Sequence, residues 1–345
     1  MSVRLCYSRR RRPQTLASES QTPILFHERD TFTMNVGVSS YSFSQSFRRS
    51  EMDILDAIDW VAASAAAHVE ITSVGLVATV ATLERAAPAG SWDPADYPDR
   101  NANIAADLAN QPALIAAIRD HAGAQGVPLS NYAVGANFRA DDLAGEIARV
   151  KQHIDAAHAL GIRHFRHDVV AWSWREESQA EFEGVFDTLV QASRELADYA
   201  APLGITTSIE NHGFCMNLSE RVRRLITTVD RPNFRTTLDI GNFLCVDEEP
   251  ESAVPLNLPY ASVVHLKDFY HRQFLPGDGW LTTLAGNAIQ GSIVGFGDLP
   301  MKRLLAAVKA SGFDGPISIE YEGQVPDLFA IETGLANAKR IWNEI

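Results

Sequence analysis

Residues 204–212 read Gly-Ile-Thr-Thr-Ser-Ile-Glu-Asn-His, a glycine followed by a short β-branched stretch that ends in polar and charged side chains. Glycine just past a helix end adopts the left-handed backbone conformation that other residues resist, so Gly204 predicts a junction between a helix and a strand. The same junction recurs at Gly161 and at Gly312, each of which precedes another apolar stretch. Repeated alternation of helices and strands indicates a parallel sheet covered by helices.

Eight stretches have the length and the Val, Ile, Thr or Phe content of strands, and longer segments with helical spacing separate them. The predicted strands are 36–41, 68–72, 129–134, 164–169, 205–210, 235–239, 262–266 and 316–321. Eight strands favour a single α/β domain with a closed (β/α)8 TIM barrel over an open doubly wound sheet. An open sheet usually carries a glycine-rich turn after its first strand, but the nearest string, Gly295-Phe296-Gly297-Asp298, comes late and lacks the third glycine.

One helical segment has a recognisable start. Segment 50–67 opens with Ser50, which is a good N-cap residue, and Asp53 follows three residues later. This spacing resembles a capping box with Asp in the Glu position, in which two side chains satisfy free backbone N–H groups. A second segment, 141–160, carries an apolar stripe with helical periodicity. The sequence therefore predicts helices over both segments, the first beginning at Ser50.

The length and composition of the chain limit the classes of protein to which it can belong. With 345 residues, 46% of them hydrophobic, the chain can bury a large core, and α/β barrels of this size are routinely single domains. It has no run of about 20 uncharged apolar residues, so we expect no membrane span. Three cysteines that lie far apart, Cys6, Cys215 and Cys245, argue against a disulfide framework and indicate a reducing, cytoplasmic location.

Charge is distributed unevenly along the chain. The net charge is −13, but residues 1–33 hold six arginines against three acidic residues, which leaves −16 for the remainder. A body this acidic repels nucleic acid, whose binding depends on neutralising phosphates with Lys and Arg. We therefore expect no nucleic-acid partner.

The first 33 residues contain the arginine run Arg9–Arg12, but the segment that follows it, 13–21, is polar. A secretory signal needs an apolar segment at that place. We interpret residues 1–33 as a disordered N-terminal extension, or as upstream sequence before a true start at Met34. Residues 34–345 are the predicted barrel, because the first convincing strand begins just after Met34.

Four late strands end in a side chain that can bind a metal ion: Glu210, Asp239, His265 and Glu320. In a parallel barrel the C-terminal ends of the strands converge on one mouth, where active sites form. A charge at the end of a buried strand is unfavourable unless it is paired or bound to metal. Three carboxylates and one imidazole suit Mn²⁺ or Mg²⁺, with Zn²⁺ and Co²⁺ as alternatives. Glu322 has the same strand parity as Glu320 and is an alternative ligand.

Four strings, taken together, resemble a known family: Ser208–His212, Thr237–Asn242, His265–Asp268 and Ile317–Gly323. With Gly295–Asp298 before the last helix–strand unit, they are similar to the sugar phosphate isomerase/epimerase family, whose fold is the xylose isomerase-like TIM barrel. That family includes ketose 3-epimerases, hydroxypyruvate isomerases and inosose dehydratases, and it is related to DNA repair enzymes of the endonuclease IV type. The resemblance covers roughly residues 34–345, is strongest from residue 205 onward and is weak in the first four strands.

The resemblance implies roles for individual residues. The family's metal ligands correspond to Glu210, Asp239, His265 and Glu320. In the family's epimerases the two glutamates are also acid and base, on opposite faces of the substrate. Two departures from the pattern of the ketose epimerases leave the identity of the substrate undetermined. This chain has Asn242 where some ketose epimerases have a histidine, and it has His271, followed by Arg272, where they have an arginine.

Several further polar residues are predicted to bind substrate: His212, Asn242, Lys267 and Arg272. A structural alternative exists for two of them, since His212 can cap the next helix and Lys267 can pair with Asp268. Segment 271–296 is long and polar, which is typical of a lid or a binding loop. Other side chains that can line the mouth are Glu70, Asp168, Trp172 and Trp280.

We therefore expect a divalent-metal-dependent isomerase or epimerase that moves a proton beside the carbonyl of a sugar-like hydroxyketone through an enediolate. The alternative is a dehydratase, a lyase that acts on a keto-cyclitol or keto-sugar with the same metal site. The charge of −16 on residues 34–345 argues against an endonuclease IV-like enzyme. The intact set of metal ligands argues against a non-catalytic sugar-binding barrel. The expected partner is a small sugar-like substrate, and the sequence leaves homo-oligomerisation open.

Overall fold

The computed structural model describes residues 34–86, 92–93, 95 and 105–345, in which eight parallel strands close into a barrel. This confirms the (β/α)8 prediction. Strands that follow one another in the chain are neighbours in the barrel, and the last strand pairs with the first. The barrel strands are β1 Val36–Ser39, β2 Val69–Thr72, β3 Leu129–Val134, β4 His164–His167, β5 Thr206–Glu210, β6 Phe234–Asp239, β7 Ala261–Leu266 and, after three strands of a second sheet, β11 Ile317–Ile319. The predicted N-terminal extension, 1–33, lies outside the described residues.

Helices between the strands form the outer layer. They are α1 Ser44–Arg48, α2 Ile54–Ala63, α3 Val80–Ala86, α4 Pro112–Gln125, α5 Leu143–Ala159, α6 Gln179–Ala200, α7 Ser219–Val229, α8 Pro250–Asn257, α9 Met301–Ala310 and α10 Asp327–Glu344. Short 3₁₀ helices lie at Ser40–Phe43, Ala105–Asn110, Ala201–Leu203, Asn242–Val246 and Leu258–Tyr260. In the part of the chain that the structure describes, no helix is both long enough and apolar enough to cross a membrane.

The start of α2 differs from the prediction by three to four residues. Ser50 is not the N-cap, because its φ of 55° is left-handed and cannot lead directly into a helix. Asp53 is the N-cap instead, and its side chain accepts from the N–H groups of Leu55 and Asp56. The Asp56 carboxylate accepts in return from the Asp53 N–H, which completes a capping box displaced along the chain. The helix also ends earlier, at Ala63 rather than 67.

Three barrel strands end two residues before their predicted ends: β1 at Ser39, β4 at His167 and β11 at Ile319. In β1 the chain leaves the ladder because a 3₁₀ helix begins at Ser40, with the Ser39 hydroxyl accepting from the Tyr41 N–H. The residues cut from these strands lie at the barrel mouth. Glu320, for example, follows β11 directly and belongs to the mouth rather than to the sheet.

The predicted loop at 271–296 contains a small antiparallel sheet. Its strands are β8 Asp268–Arg272, β9 Leu281–Thr282 and β10 Ala288–Ser292, in the order β8-β10-β9. One carboxylate holds the β9–β10 hairpin down. Asp247 accepts from the Thr283 hydroxyl at 2.7 Å, the Asn287 amide at 2.8 Å and the Ala285 N–H at 2.6 Å. Because Asp247 directly follows the 3₁₀ helix after β6, the hairpin is tied to the strand that ends in Asp239.

Candidate metal centre

The four predicted ligands meet at the barrel mouth. Glu210 and Asp239 are the last residues of β5 and β6, His265 lies near the end of β7, and Glu320 follows β11. One ligand atom from each lies within 4.8 Å of the others, so the group can hold a metal ion. Among the described residues, the fourth member of this group is Glu320 and not Glu322.

Two atoms in this cluster are available to a cation. Asp239 Oδ1 accepts from the N–H groups of Gly241 and Asn242 at 2.7 and 2.8 Å, but Oδ2 has no hydrogen-bond partner among the described residues. Within the same residues His265 Nδ1 is also unpartnered, at 3.7 Å from Glu210 Oε1. Burial raises the pKa of Asp239 to about 7, and the nearby Glu210 carboxylate adds to this increase. Crowded buried carboxylates of this kind become favourable when a cation lies between them.

Glu70 and Asn131 orient the histidine ligand from behind. Glu70 Oε2 lies 2.9 Å from His265 Nε2 and accepts from the Asn131 amide at 3.1 Å. If Nε2 carries the proton, Nδ1 presents its lone pair to the carboxylate cluster, which is the usual arrangement behind a metal-bound histidine. Glu70 was a weak candidate in the sequence, and Asn131 was not predicted. The charged side chain of Glu70 within the strand Val-Glu-Ile-Thr is the sequence signal that points to it.

Arg166 is the main residue that sequence reasoning missed. Its Nε lies 2.9 Å from Glu210 Oε2, and its Nη2 lies 2.8 Å from Asp168 Oδ1 and 2.9 Å from His212 Nδ1. Burial alone raises the pKa of Glu210, but the Arg166 guanidinium outweighs it and the net pKa is well below the ordinary value. Arg166 lies two residues before Asp168, which the sequence offers as a mouth-lining side chain, and strand side chains repeat every two residues, so parity could have indicated Arg166.

Lys267 and Asn242, both predicted to bind substrate, lie between the two glutamates. Lys267 Nζ is 2.7 Å from Glu320 Oε2 and 3.1 Å from Glu322 Oε1. The Asn242 amide donates to Glu210 Oε1 at 3.0 Å, while its oxygen accepts from Lys267 at 3.2 Å. The alternative pairing of Lys267 with Asp268 is wrong, because Asp268 accepts from backbone N–H groups of the loop after β10.

The other predicted site residues lie in different places. His212 is partly exposed at the mouth, with Nδ1 3.1 Å from Asp168 Oδ1. Burial lowers the pKa of His212, but the Asp168 carboxylate outweighs this and the net pKa is raised. Arg272 lies on the small sheet, where it pairs with Asp298 at 2.7 Å, and its guanidinium carbon lies 5.8 Å from the centroid of the Trp280 ring. Trp172 is 53% exposed beside the Phe214 ring.

Fold and site together define a (β/α)8 barrel with a carboxylate-rich centre able to bind a metal ion at its mouth. The family model of the xylose isomerase-like TIM barrel matches residues 89–341, and the chain belongs to that family. No curated protein matches the chain by sequence.

Solved structures of the same architecture include enzymes and a metal complex. A 3-keto-D-glucoside 4-epimerase from E. coli is 15% identical, with a TM-score of 0.61 over 89% of this chain and 99% of its own. A probable 3-DHS dehydratase from Bacillus anthracis is 14% identical, with a TM-score of 0.61 over 90% of this chain and 100% of its own. A barrel protein from Mycobacterium smegmatis in complex with magnesium is 14% identical, with a TM-score of 0.58 over 90% and 95%. At these identities the likeness shows the fold alone.

Proposed function

We propose that this protein is a divalent-metal-dependent isomerase or epimerase that moves a proton beside the carbonyl of a sugar-like hydroxyketone. One observation carries the proposal. Among the described residues, one ligand atom each of Glu210, Asp239, His265 and Glu320 lies within 4.8 Å of the others at the barrel mouth, and Asp239 Oδ2 and His265 Nδ1 make no hydrogen bond there. Proton transfer beside a carbonyl needs a cation to hold the developing oxyanion and a base within reach, and this centre offers both.

The donor set fits a hard or borderline divalent ion. Glu210, Asp239, His265 and Glu320 would hold it, and three oxygen ligands with one imidazole favour Mn²⁺ or Mg²⁺ over softer ions. The magnesium complex of the Mycobacterium smegmatis barrel supports this choice. A divalent ion bound here would polarise the substrate carbonyl and stabilise negative charge on its oxygen.

The side chains of the site have different roles in the proposed reaction. We assign proton removal to the Glu320 carboxylate, which keeps partial access to solvent. Glu210, or a water beside it, returns a proton on the opposite face. Lys267, which already contacts Glu320 at 2.7 Å, donates a hydrogen bond to a substrate oxygen, and His212 and Asn242 orient the hydroxyl groups. Arg272 on the small sheet is proposed to contact the far end of the substrate.

A dehydratase is the second candidate. The position of Lys267 favours it, because a donor 2.7 Å from the proposed base can also hydrogen-bond to a leaving β-hydroxyl. The likeness to the probable 3-DHS dehydratase adds support at the level of the fold. The two reactions differ in their products. Loss of water from a hydroxyketone gives a conjugated enone that absorbs in the ultraviolet, whereas epimerisation leaves the chromophore unchanged.

The experiment that tests the function is a screen for deuterium uptake. The purified protein, supplied with Mn²⁺ or Mg²⁺, is incubated in D₂O with ketoses, cyclitols and keto-acids, and deuterium incorporation is followed by NMR while absorbance reports enone formation. Incorporation that disappears on chelation supports the proposal. If none of the compounds exchanges a proton in the metal-loaded protein, a non-catalytic sugar-binding role becomes the better interpretation.

A further inference from the structure

The pairing between β5 and β6 stops short of the metal ligand Asp239. The last paired residues are Glu210 and Thr237, so Asp239 lies two residues beyond the pairing on this side. On its other side Asp239 is still paired with His265 of β7. Asp239 is fully buried, and buried backbone N–H and C=O groups need hydrogen-bond partners. A group other than the β5 backbone must therefore supply these partners.

The side chain of Asn211 supplies them. Its oxygen accepts from the Asp239 N–H at 2.9 Å, and its amide nitrogen donates to the Asp239 carbonyl oxygen at 2.8 Å. A side-chain amide offers a donor and an acceptor side by side, as the backbone of a neighbouring strand would. Because Asn211 directly follows the ligand Glu210, this contact joins the ends of two strands that carry metal ligands.

A second buried asparagine continues the network. The Asn217 oxygen accepts from the Asn211 amide at 3.2 Å. The Asn217 amide nitrogen donates to the carbonyl oxygen of Gly213 at 3.0 Å and to that of Asn242 at 2.7 Å. The two side chains thus connect the loop that follows β5 with the loop that follows β6.

Asn242 links this asparagine pair to the centre itself. Its side-chain amide donates to Glu210 at 3.0 Å, and its side-chain oxygen accepts from Lys267 at 3.2 Å. Its backbone N–H donates to Asp239 Oδ1 at 2.8 Å. Since Asn217 holds the carbonyl group of the same residue, the place of Asn242 in the centre depends on Asn217.

The side chains of Asn211 and Asn217 are committed to these contacts. Every N–H group of the two amides is used, because each nitrogen carries two N–H groups and makes two hydrogen bonds. Both residues are fully buried. A buried polar network whose members are all satisfied is rigid and specifies one arrangement. Neither amide has a donor left for a substrate, so the pair acts through the residues that it holds.

We propose that Asn211 and Asn217 are positioning residues of the metal centre. Asn211 sets the spacing between Glu210 and Asp239 at the ends of their strands. Asn217 holds Asn242 beside Glu210. Side chains that orient metal ligands from behind typically contribute a factor of about 10 to 100 in metal affinity. The inference rests on the metal centre of the proposed function, but it is independent of the reaction catalysed there.

Asn233 offers a matched control at the other end of β6. It directly precedes that strand, whereas Asp239 ends it. Its amide nitrogen donates to the carbonyl oxygens of Ala197 at 2.8 Å and Ile205 at 3.2 Å. Asn233→Ala and Asn211→Ala therefore each remove an amide that bridges two backbone segments, but only Asn211 adjoins the ligands.

The test compares metal affinity with stability in the full-length protein. The EPR signal of free Mn²⁺ measures binding, and the urea midpoint of the metal-free protein measures stability. Asn211→Ala should weaken Mn²⁺ binding by about 10- to 100-fold, and Asn217→Ala by less, because it acts through Asn242. Asn233→Ala should lower the urea midpoint but leave Mn²⁺ affinity unchanged. If neither alanine variant near the centre folds, Asn217→Ser and Asn233→Ser, which leave a hydroxyl in each place, allow the same comparison.

Two results would overturn the proposal. One is wild-type Mn²⁺ affinity in the folded Asn211→Ala and Asn217→Ala proteins, which would make the pair a support of the fold alone. The other is an equal loss of affinity in Asn233→Ala, which would trace the effect to general destabilisation. A wild-type protein that binds no divalent ion would overturn the metal centre, and this inference with it. Measuring the wild type first distinguishes that failure from the other two.

Discussion

The two glutamates of the metal centre have unlike surroundings. On one side of the mouth, both oxygens of Glu210 are engaged, Oε2 by Arg166 at 2.9 Å and Oε1 by the Asn242 amide at 3.0 Å. On the other side, Glu320 is contacted through Oε2 by Lys267 at 2.7 Å. The Glu320 side chain is 11% exposed and that of Glu210 only 4%. One carboxylate is fixed by buried donors, while the other keeps some freedom and solvent access.

This difference separates two roles that the family resemblance leaves joined. Arginine presents a planar and rigid set of donors, whereas the lysine ammonium sits on a flexible four-carbon stem. A carboxylate held by a buried guanidinium has a depressed pKa and is a poor base. We therefore infer that Glu210 acts mainly as a ligand and as the partner on the far face, and that Glu320 removes the proton.

The largest effect is expected from breaking the Arg166 ion pairs. Arg166→Met leaves the buried carboxylates of Glu210 and Asp168 without their cation, so it should lower the free energy of unfolding by about 3–5 kcal/mol. Lys267→Met should cost less, because two of its three ion-pair partners, Glu320 and Glu322, reach solvent and only Asp239, at 3.6 Å, is fully buried. Urea unfolding of the metal-free proteins, in which no bound ion compensates the carboxylates, measures both. Equal losses would show that the two glutamates are held equally firmly.

The next effect concerns turnover. Glu210→Gln and Glu320→Gln should each reduce kcat by about 100-fold or more, the usual contribution of general acid–base catalysis. The comparison predicts a difference in proton exchange. Glu320→Gln should abolish deuterium uptake from D₂O, whereas Glu210→Gln should retain part of it because the base is intact. Glu322→Gln is the matched control, since Glu322 lies beside Lys267 but outside the ligand group found among the described residues.

Two outcomes would contradict this assignment. If Glu210→Gln loses exchange and Glu320→Gln keeps it, the roles of the glutamates are reversed. If both variants turn over normally with metal retained, the base lies elsewhere, and Glu322, His212 and Lys267 are the next residues to replace.

A smaller, graded effect is expected for metal binding. Elemental analysis should find about one divalent ion per chain, and His265→Ala should remove it while circular dichroism shows an intact fold. Glu70→Gln should weaken metal affinity by about 10- to 100-fold, because it disturbs the orientation of the His265 ring without deleting a ligand. Full metal occupancy in the His265→Ala protein would exclude this residue as a ligand.

The smallest effect is expected far from both glutamates. A chain starting at Met34 lacks the polar, arginine-rich residues 1–33, which have little apolar surface to bury. Its melting temperature and activity should equal those of the full chain. A decrease of several degrees in melting temperature would instead show that the extension packs on the barrel.

The side chains at the strand ends made the metal ligands predictable. The residues that orient and pair with those ligands were not predictable. Asp239 and His265 stand out because a charged side chain ends an apolar stretch, and the parallel fold then brings such ends together. The contact between Glu70 and His265 joins residues 195 positions apart and crosses the barrel. Local sequence patterns carry no information about which residues meet across the interior. Arg166 contacts Glu210 from the neighbouring strand, and it was missed although strand parity could have indicated it.

Local sequence signals also failed where two residues fitted the same structural role. Ser50 and Asp53 both satisfy the rules for a helix N-cap, and the left-handed backbone at Ser50 decided between them. The small sheet went unrecognised because β9, at Leu281–Thr282, is two residues long and leaves no alternating pattern. In both places the tertiary structure, and not the local preference, selected the conformation.

Asp247 has a consequence for redesigning the protein. Its backbone is left-handed, with φ of 58°, a conformation that Asp, Asn and Gly tolerate better than other residues. Its carboxylate also fastens the β9–β10 hairpin through three hydrogen bonds. The hairpin is therefore joined to the barrel through Asp247, eight residues after the ligand Asp239, and through the pairing of β10 with β8. New hairpins grafted there should keep a hydroxyl and an amide positioned for Asp247 and a strand that pairs with β8.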